Sequence, residues 1–250
     1  MTNLLIALGV VLISFAILII FSLPRFNKGP RSLRVIPAYH RLRRAIGLSV
    51  EDGKRVHVSL GKSSLLEPTN TSALVGLSSL ERVTQLSMMS DRPPVATSGD
   101  GALSILSQDT LRAAYRSGNA LELYNPDRGR LAGPTPFSYI AGTLPVFRQE
   151  NATAHILIGN FGPEVGLLTQ AAEQQRVFTL TASDALPAQA VLYASSSDTL
   201  IGEDLYAVPA YLNAGPAHTA SLRVQDILRW VIIAAIVVGA VLKFLGISLL

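Results

Sequence analysis

The sequence predicts an α/β protein: a mostly parallel sheet with helices on both faces, flanked by an N-terminal and a C-terminal transmembrane helix. Three observations carry this reading. Short β-rich runs alternate with longer helical patterns through the middle of the chain, those runs are mostly too apolar to have a wet face, and an apolar stretch stands at each end. At 250 residues there is room for one ordinary domain plus accessory segments.

The first element is Leu4 to Leu23, twenty residues without a charge. At ~1.5 Å per residue it covers the ~30 Å of bilayer hydrocarbon. It lacks both the basic leader and the small-x-small cleavage site of a signal peptide, so residues 1–24 read as an uncleaved anchor. Trp230 to Leu250 has the same reach and one charge, Lys243, whose ammonium can extend to the interface. Residues 227–250 are the second anchor.

Between them, Arg25 to Arg44 holds seven Lys or Arg and no acid. Val35, Tyr39, Leu42, Ile46 and Val50 recur there at three- and four-residue spacing, with Arg41, Arg43 and Arg44 on the other faces. Residues 25–50 therefore form an amphipathic segment that lies on anionic headgroups or packs under its own domain. Residues 51–222 hold eleven Lys or Arg against sixteen Asp or Glu, a net charge of −5. The basic character is local, and an acidic domain excludes nucleic-acid binding as the expected function. Arg25, Lys28, Arg31, Arg34, Arg41, Arg43 and Arg44 follow the first anchor, and Arg223 and Arg229 precede the second. Cations flanking spanning helices stay on the cytoplasmic side. The expectation is a two-pass protein of a bacterial inner membrane, with its 51–226 domain cytoplasmic and both termini outside.

The expected strands are Arg55 to Leu60, Pro93 to Ser98, Ala154 to Gly159, Val177 to Ala182 and Ala190 to Ser195. Helices are expected over Ser72 to Met88, Gly101 to Tyr115, Pro136 to Arg148, Pro163 to Gln175 and Gly202 to Leu212, with Pro145 breaking or kinking the third. Asn125 to Pro136 is crowded with Pro and Gly and reads as a loop. Together these elements make a Rossmann-like open sheet.

Such a sheet builds its ligand crevice at the strand C-terminal ends. Thr97-Ser98-Gly99-Asp100, Thr181-Ala182-Ser183-Asp184 and Ser195-Ser196-Ser197-Asp198 end three expected strands alike, and a fourth ends Gly159-Asn160. Asp or Asn there is first a helix N-cap. The functional alternative is that Thr97, Ser98, Asp100, Asn160, Thr181, Ser183, Asp184, Ser195, Ser197 and Asp198 converge on a small anionic or nucleotide-like ligand. Two loops look like phosphate cradles and miss the pattern. Gly159 to Gly166 is spaced G-x-x-G-x-x-x-G, and Gly61-Lys62-Ser63-Ser64 lacks the earlier glycine of a Walker loop because Val56 stands there.

No catalytic or metal site emerges. There is no Cys, and His40, His57, His155 and His218 lack the spacing of a helical metal pair. His57 and His155 fall inside expected strands, where a satisfied core or edge histidine is the ordinary explanation. Glu203 and Asp204 are adjacent and point apart, and no G-x-S-x-G elbow occurs. The sequence indicates no cofactor.

Ser90 to Arg116, Ala188 to Ala194, Ile201 to Ala207 and Gly215 to Trp230 carry a resemblance. Across Val35 to Trp230 the chain resembles an uncharacterised bacterial membrane-protein family, a domain of unknown function associated with Chloroflexota-type bacteria. That resemblance implies no catalytic residue and is compatible with two anchors. The expected function is a structural or interaction module, homo-oligomeric in the bilayer, since Ala235 and Gly239 form a small-xxx-small pair that admits another helix. The alternative is a membrane-tethered sensor or enzyme for a small ligand.

Overall fold

In a computed structural model, which describes residues 2–23, 33–65 and 70–244, six strands form one sheet. They are β1 (Arg55–Gly61), β2 (Val95–Ser98), β3 (Gly129–Leu131), β4 (Ala152–Asn160), β5 (Phe178–Ser183) and β6 (Asp198–Leu200). Their order is β3-β2-β1-β4-β5-β6, and every neighbouring pair is parallel. The chain builds outward from β1 to β3, crosses back, and builds outward again from β4. This is the doubly wound order, with its topological switch point between β1 and β4.

The connecting helices are α3 (Asn70–Ser87), α4 (Gly101–Ser117), α5 (Pro136–Gln149), α6 (Gly166–Gln174) and α7 (Leu186–Ser195), joined by α2 (Pro37–Glu51) before β1 and α8 (Asp204–Tyr211) after β6. Strand periodicity divides the core in two. Val56, Val58 and Leu60 of β1, with Ile156 and Ile158 of β4, pack beneath Leu42 of α2, Leu80 of α3, Leu103 of α4 and Val208 of α8. On the other face Leu157 packs with Tyr139 and Phe147 of α5, Leu168 of α6 and Leu192 of α7. The second face also buries His57, Ser59, Thr97, His155, Thr179, Thr181 and Ser183. The strands thus alternate apolar with polar although neither face is wet.

Three expectations are corrected. Ala190 to Ser195 is the end of helix α7, which carries Pro187 in its first turn and buries Ala188, Gln189 and Leu192 along one side. The Asn125 to Pro136 loop contains edge strand β3, whose Gly129 backbone lies so close to α4 that an added Cβ would stand 2.6 Å from Gln108 Cγ. Strand β6 begins at Asp198, where a strand was expected to have ended. Three-residue edge strands are too short to show a period of two. Pro145 lies inside α5 without ending it; Ala141, whose carbonyl loses a partner, is exposed to water.

Helices α2 to α8 and the sheet form one unit, Arg34–Ala214, so α2 belongs to it although the sequence segmented that helix with the linker. Ala38, Tyr39, Leu42, Ala45, Ile46 and Ser49 of α2 are buried. A second unit comprises Met1–Leu33 and Gly215–Leu250, in which α1 (Thr2–Ser22) packs along α9 (Pro216–Phe244). Helix α9 is long and apolar enough to cross a membrane, with a mean hydropathy of 2.3 over an 18-residue window. Its Ile232, Ile236 and Val241 are exposed.

Candidate functional site at the sheet switch point

At the switch point β1 and β4 come unusually close. Gly61 has φ +67°, and a Cβ on it would stand 2.3 Å from the Asn160 carbonyl oxygen; one on Gly159 would stand 2.1 Å from that of Leu60. Both positions require glycine, and they lie where the β1–β4 register shifts by a residue, pairing Gly61 with Asn160. The two phosphate-loop lookalikes, Gly61 to Ser64 and Gly159 to Gly166, are therefore neighbours across this point.

The backbone donors around them already have protein partners. Gly61 N–H donates to the Tyr139 hydroxyl at 3.2 Å, Lys62 N–H to the Asn160 carbonyl at 2.8 Å, and Gly99 N–H to the Gly61 carbonyl at 2.8 Å. Asn160 N–H donates to Ser63 Oγ at 2.8 Å, and Phe161 N–H to Ser183 Oγ at 3.3 Å. Leu103 N–H donates to Asp100 Oδ1 at 2.9 Å, the cap of α4. Side chains close the remaining gaps: Asn160 Nδ2 donates to Asp184 Oδ1 at 2.8 Å, and Lys62 Nζ faces Glu164 Oε1 at 3.8 Å. This is a lattice of satisfied groups, not a row of free N–H groups aimed at a ligand.

Beneath it, on the face covered by α5, runs a buried polar chain. His155 and His57 meet Nδ1 to Nδ1 at 3.2 Å, and His57 Nε2 lies 2.9 Å from Thr97 Oγ1. Thr97 Oγ1 is 3.5 Å from the Tyr139 hydroxyl, which pairs with Ser59 Oγ at 2.5 Å. Phe147 stacks on His155 with ring centres 3.7 Å apart. Burial holds the His155 pKa down to about 3; burial first, then His155 and Arg130, lower that of His57. Both rings are thus neutral, one donating its Nδ1–H and the other accepting. Burial raises the Tyr139 pKa, and the bonds from Ser59, Thr97 and Gly61 oppose it. The chain holds α5 against β1, β2 and β4.

Of the residues singled out in the sequence, Thr97, Ser98, Asp100, Asn160, Thr181, Ser183 and Asp184 stand at the C-terminal end of the sheet. The Thr97 side chain turns inward to His57, and Thr181 pairs with Thr199 at 3.0 Å. Ser195, Ser197 and Asp198 stand at the opposite end, because the first two precede β6 and Asp198 is its first residue. Asp198 is bound by Arg41, whose Nε donates to Oδ1 at 2.8 Å. Arg34 pairs with Asp204 at 2.9 Å and Arg43 donates to the Tyr211 carbonyl, while Arg44 is exposed. Arg229 pairs with Asp226 at 3.5 Å, and Arg223 lies on the same helix. Arg25, Lys28 and Arg31 fall outside the described residues. Sequence reasoning missed the His57–His155 contact and the place of Lys62. The signal for Lys62 was its position directly after the first strand, which the doubly wound order puts at the switch point.

A family profile described as Domain of unknown function (DUF6754) matches residues 1–250. The chain belongs to this family. Membership in DUF6754 assigns no activity to the switch point. No curated protein and no solved structure matches the chain.

Proposed function

We propose that this DUF6754 protein is a membrane-anchored interaction module of a bacterial cytoplasmic membrane, in which α1 and α9 both span, the α/β unit lies in the cytoplasm, and several copies associate. The observation that carries this reading is the meeting of the two ends of the α/β unit. The Tyr211 hydroxyl donates to the Arg34 carbonyl at 2.5 Å, the Tyr39 and Tyr211 rings stack 4.1 Å apart, and Arg34 pairs with Asp204. A domain whose entry and exit are tied side by side can be inserted between two apolar helices that return to one bilayer. The occupied amides at the switch point favour a binding platform over a dinucleotide enzyme.

A second reading, a sensor for a small anionic or nucleotide-like ligand, is supported by Lys62 and Asn160 standing at the switch point, where open α/β sheets bind ligands. A ligand there must break the Lys62–Glu164 and Asn160–Asp184 contacts. Mass measurement of the detergent-solubilised full chain separates the two. A defined multimer is the expected result; a monomer whose melting shifts with nucleotides would replace the module by the sensor.

A further inference from the structure

The opposite end of the sheet holds an unbalanced cluster of charge. Arg55 at the start of β1, Arg128 just before β3 and Arg130 within it surround a single carboxylate, Glu150, which follows α5. Arg130 Nη2 lies 2.6 Å from Glu150 Oε1, Arg55 Nε 3.0 Å from Oε2, and Arg128 Nη1 3.7 Å from Oε2. Asp127 offers Arg130 only its backbone carbonyl, and Pro93 does the same for Arg55. Three guanidiniums therefore share one counter-charge, and Arg92 adds to the repulsion felt by Arg55. Arg55, Arg128 and Glu150 are largely withdrawn from water and Arg130 less so, with side-chain exposures of 12%, 22%, 17% and 37% respectively. Partly buried like charges are costly unless something compensates them.

The hydrogen-bond pattern tells the same story independently. Among the described residues five buried side-chain polar atoms lack a partner, and three of them are here: Arg55 Nε, Arg128 Nε and the Tyr115 hydroxyl. Arg55 Nε is close to Glu150 without aiming its N–H at it, so the pair is ionic and the donor stays free. Tyr115, at the end of α4, is 2% exposed. Burial raises its pKa, and the positive charges of Arg128 and Arg55 pull it back, which places its hydroxyl within their field. Native proteins rarely leave buried donors unpaired, and planar guanidiniums match tetrahedral oxyanions two hydrogen bonds at a time.

We propose that Arg55, Arg128, Arg130 and the Tyr115 hydroxyl form a binding site for a small oxyanion of the phosphate type, with Glu150 holding the guanidiniums in place when no anion is bound. The anion supplies the negative charge that Glu150 alone does not, and it reaches the three orphaned donors, which are buried, where Glu150 gives way to it. Lys54, which pairs with Asp52 at 3.3 Å, Arg148 and Arg176 line a separate cavity of about 650 Å³ beside the start of β4, with no acidic side chain in its wall, and the arginines add positive field at this end of the sheet.

The test is the melting midpoint of the full chain in detergent, in sodium phosphate, sodium sulfate or sodium glycerol 3-phosphate against sodium chloride at equal ionic strength. Phosphate should raise the midpoint by about 5–10 °C once it exceeds its Kd about a hundredfold. Arg128→Gln and Tyr115→Phe should reduce that rise. Glu150→Gln, which removes the internal competitor, should lower the midpoint in chloride and enlarge the rise in phosphate. A rise with glycerol 3-phosphate alone supports the site and assigns the phosphate to an organic ester such as a lipid headgroup. Equal midpoints in all four salts for both the wild-type chain and Glu150→Gln would overturn the proposal and leave a structural ion-pair network holding only water. If Glu150→Gln does not fold, equal wild-type midpoints overturn it alone.

Discussion

His57 and His155 face each other across the β1–β4 seam with their Nδ1 atoms 3.2 Å apart, both wholly buried. Neither ring can take up a proton without placing a charge in the core. Their folded pKa values lie below the ordinary 6.5, at about 3 for His155, so the unfolded chain binds more protons in the interval between. The stability contributed by the neutral pair is present in full above pH ~6.5 and is lost as pH falls toward 3, with a slope of at most about 1.4 kcal/mol per pH unit for each histidine. Melting midpoints measured from pH 7.5 to 4 should fall steadily, and His155→Gln should flatten the fall. A flat wild-type profile contradicts the buried neutral pair.

Asp100 is the only one of the three strand-end aspartates whose side chain caps a helix here. Asp100→Ala should cost about 0.5–2 kcal/mol in denaturant unfolding, and Asp100→Asn much less, since an Asn oxygen accepts the same N–H. A large loss with Asp100→Asn indicates a need for the charge itself.

Arg41 supplies the counter-charge of Asp198, whose side chain is only 3% exposed, whereas Arg44 is exposed on the same helix. Arg41→Gln strands a buried carboxylate and should lower the melting midpoint clearly more than Arg44→Gln. Equal effects would mean that the Arg41 pair adds nothing to docking α2.

For topology, a reporter fused after Leu250 should lie outside the cytoplasm, and protease added to inverted vesicles should digest the Arg34–Ala214 unit. Neutralising Arg25, Lys28 and Arg31 together should produce mixed orientation. Arg34 is left unchanged because it pairs with Asp204. Protection of the unit in inverted vesicles inverts the proposed arrangement.

Among the described residues no atom lies within 4 Å of a Cβ added at Gly239, so the first atom of a larger side chain has room there. If a second copy packs on this position, Gly239→Leu should reduce the mass of the solubilised particle. An unchanged mass assigns assembly to other surfaces.

Much of the fold was legible because long elements carry their period openly. Strands β1, β4 and β5 and helix α4 lie within a few residues of where hydropathy and Gly/Pro punctuation put them, and helix α9 covers the expected C-terminal apolar stretch as far as Phe244 but begins at Pro216, well before Trp230. Strands β3 and β6 were not legible, since three residues show no alternation, and the Ala-rich segment of α7 reads equally as buried strand or helix until its neighbours are known. The candidate site suffered most from this. With α7 taken as a strand, Ser195, Ser197 and Asp198 were assigned to the wrong end of the sheet.

The sequence by itself determined the alternation of strands and helices, the apolar helix at the C-terminus, and the concentration of excess basic charge in residues 25–44. These follow from local composition and spacing, which a chain carries before it folds. Only the tertiary structure decided the strand order, the meeting of His57 with His155, the pairing of Arg41 with Asp198 across 157 residues, and the gathering of Arg55, Arg128 and Arg130 on Glu150. Each joins residues far apart in the chain, and no local spacing encodes such a contact: it exists only once the parallel crossovers have set which strand ends are neighbours.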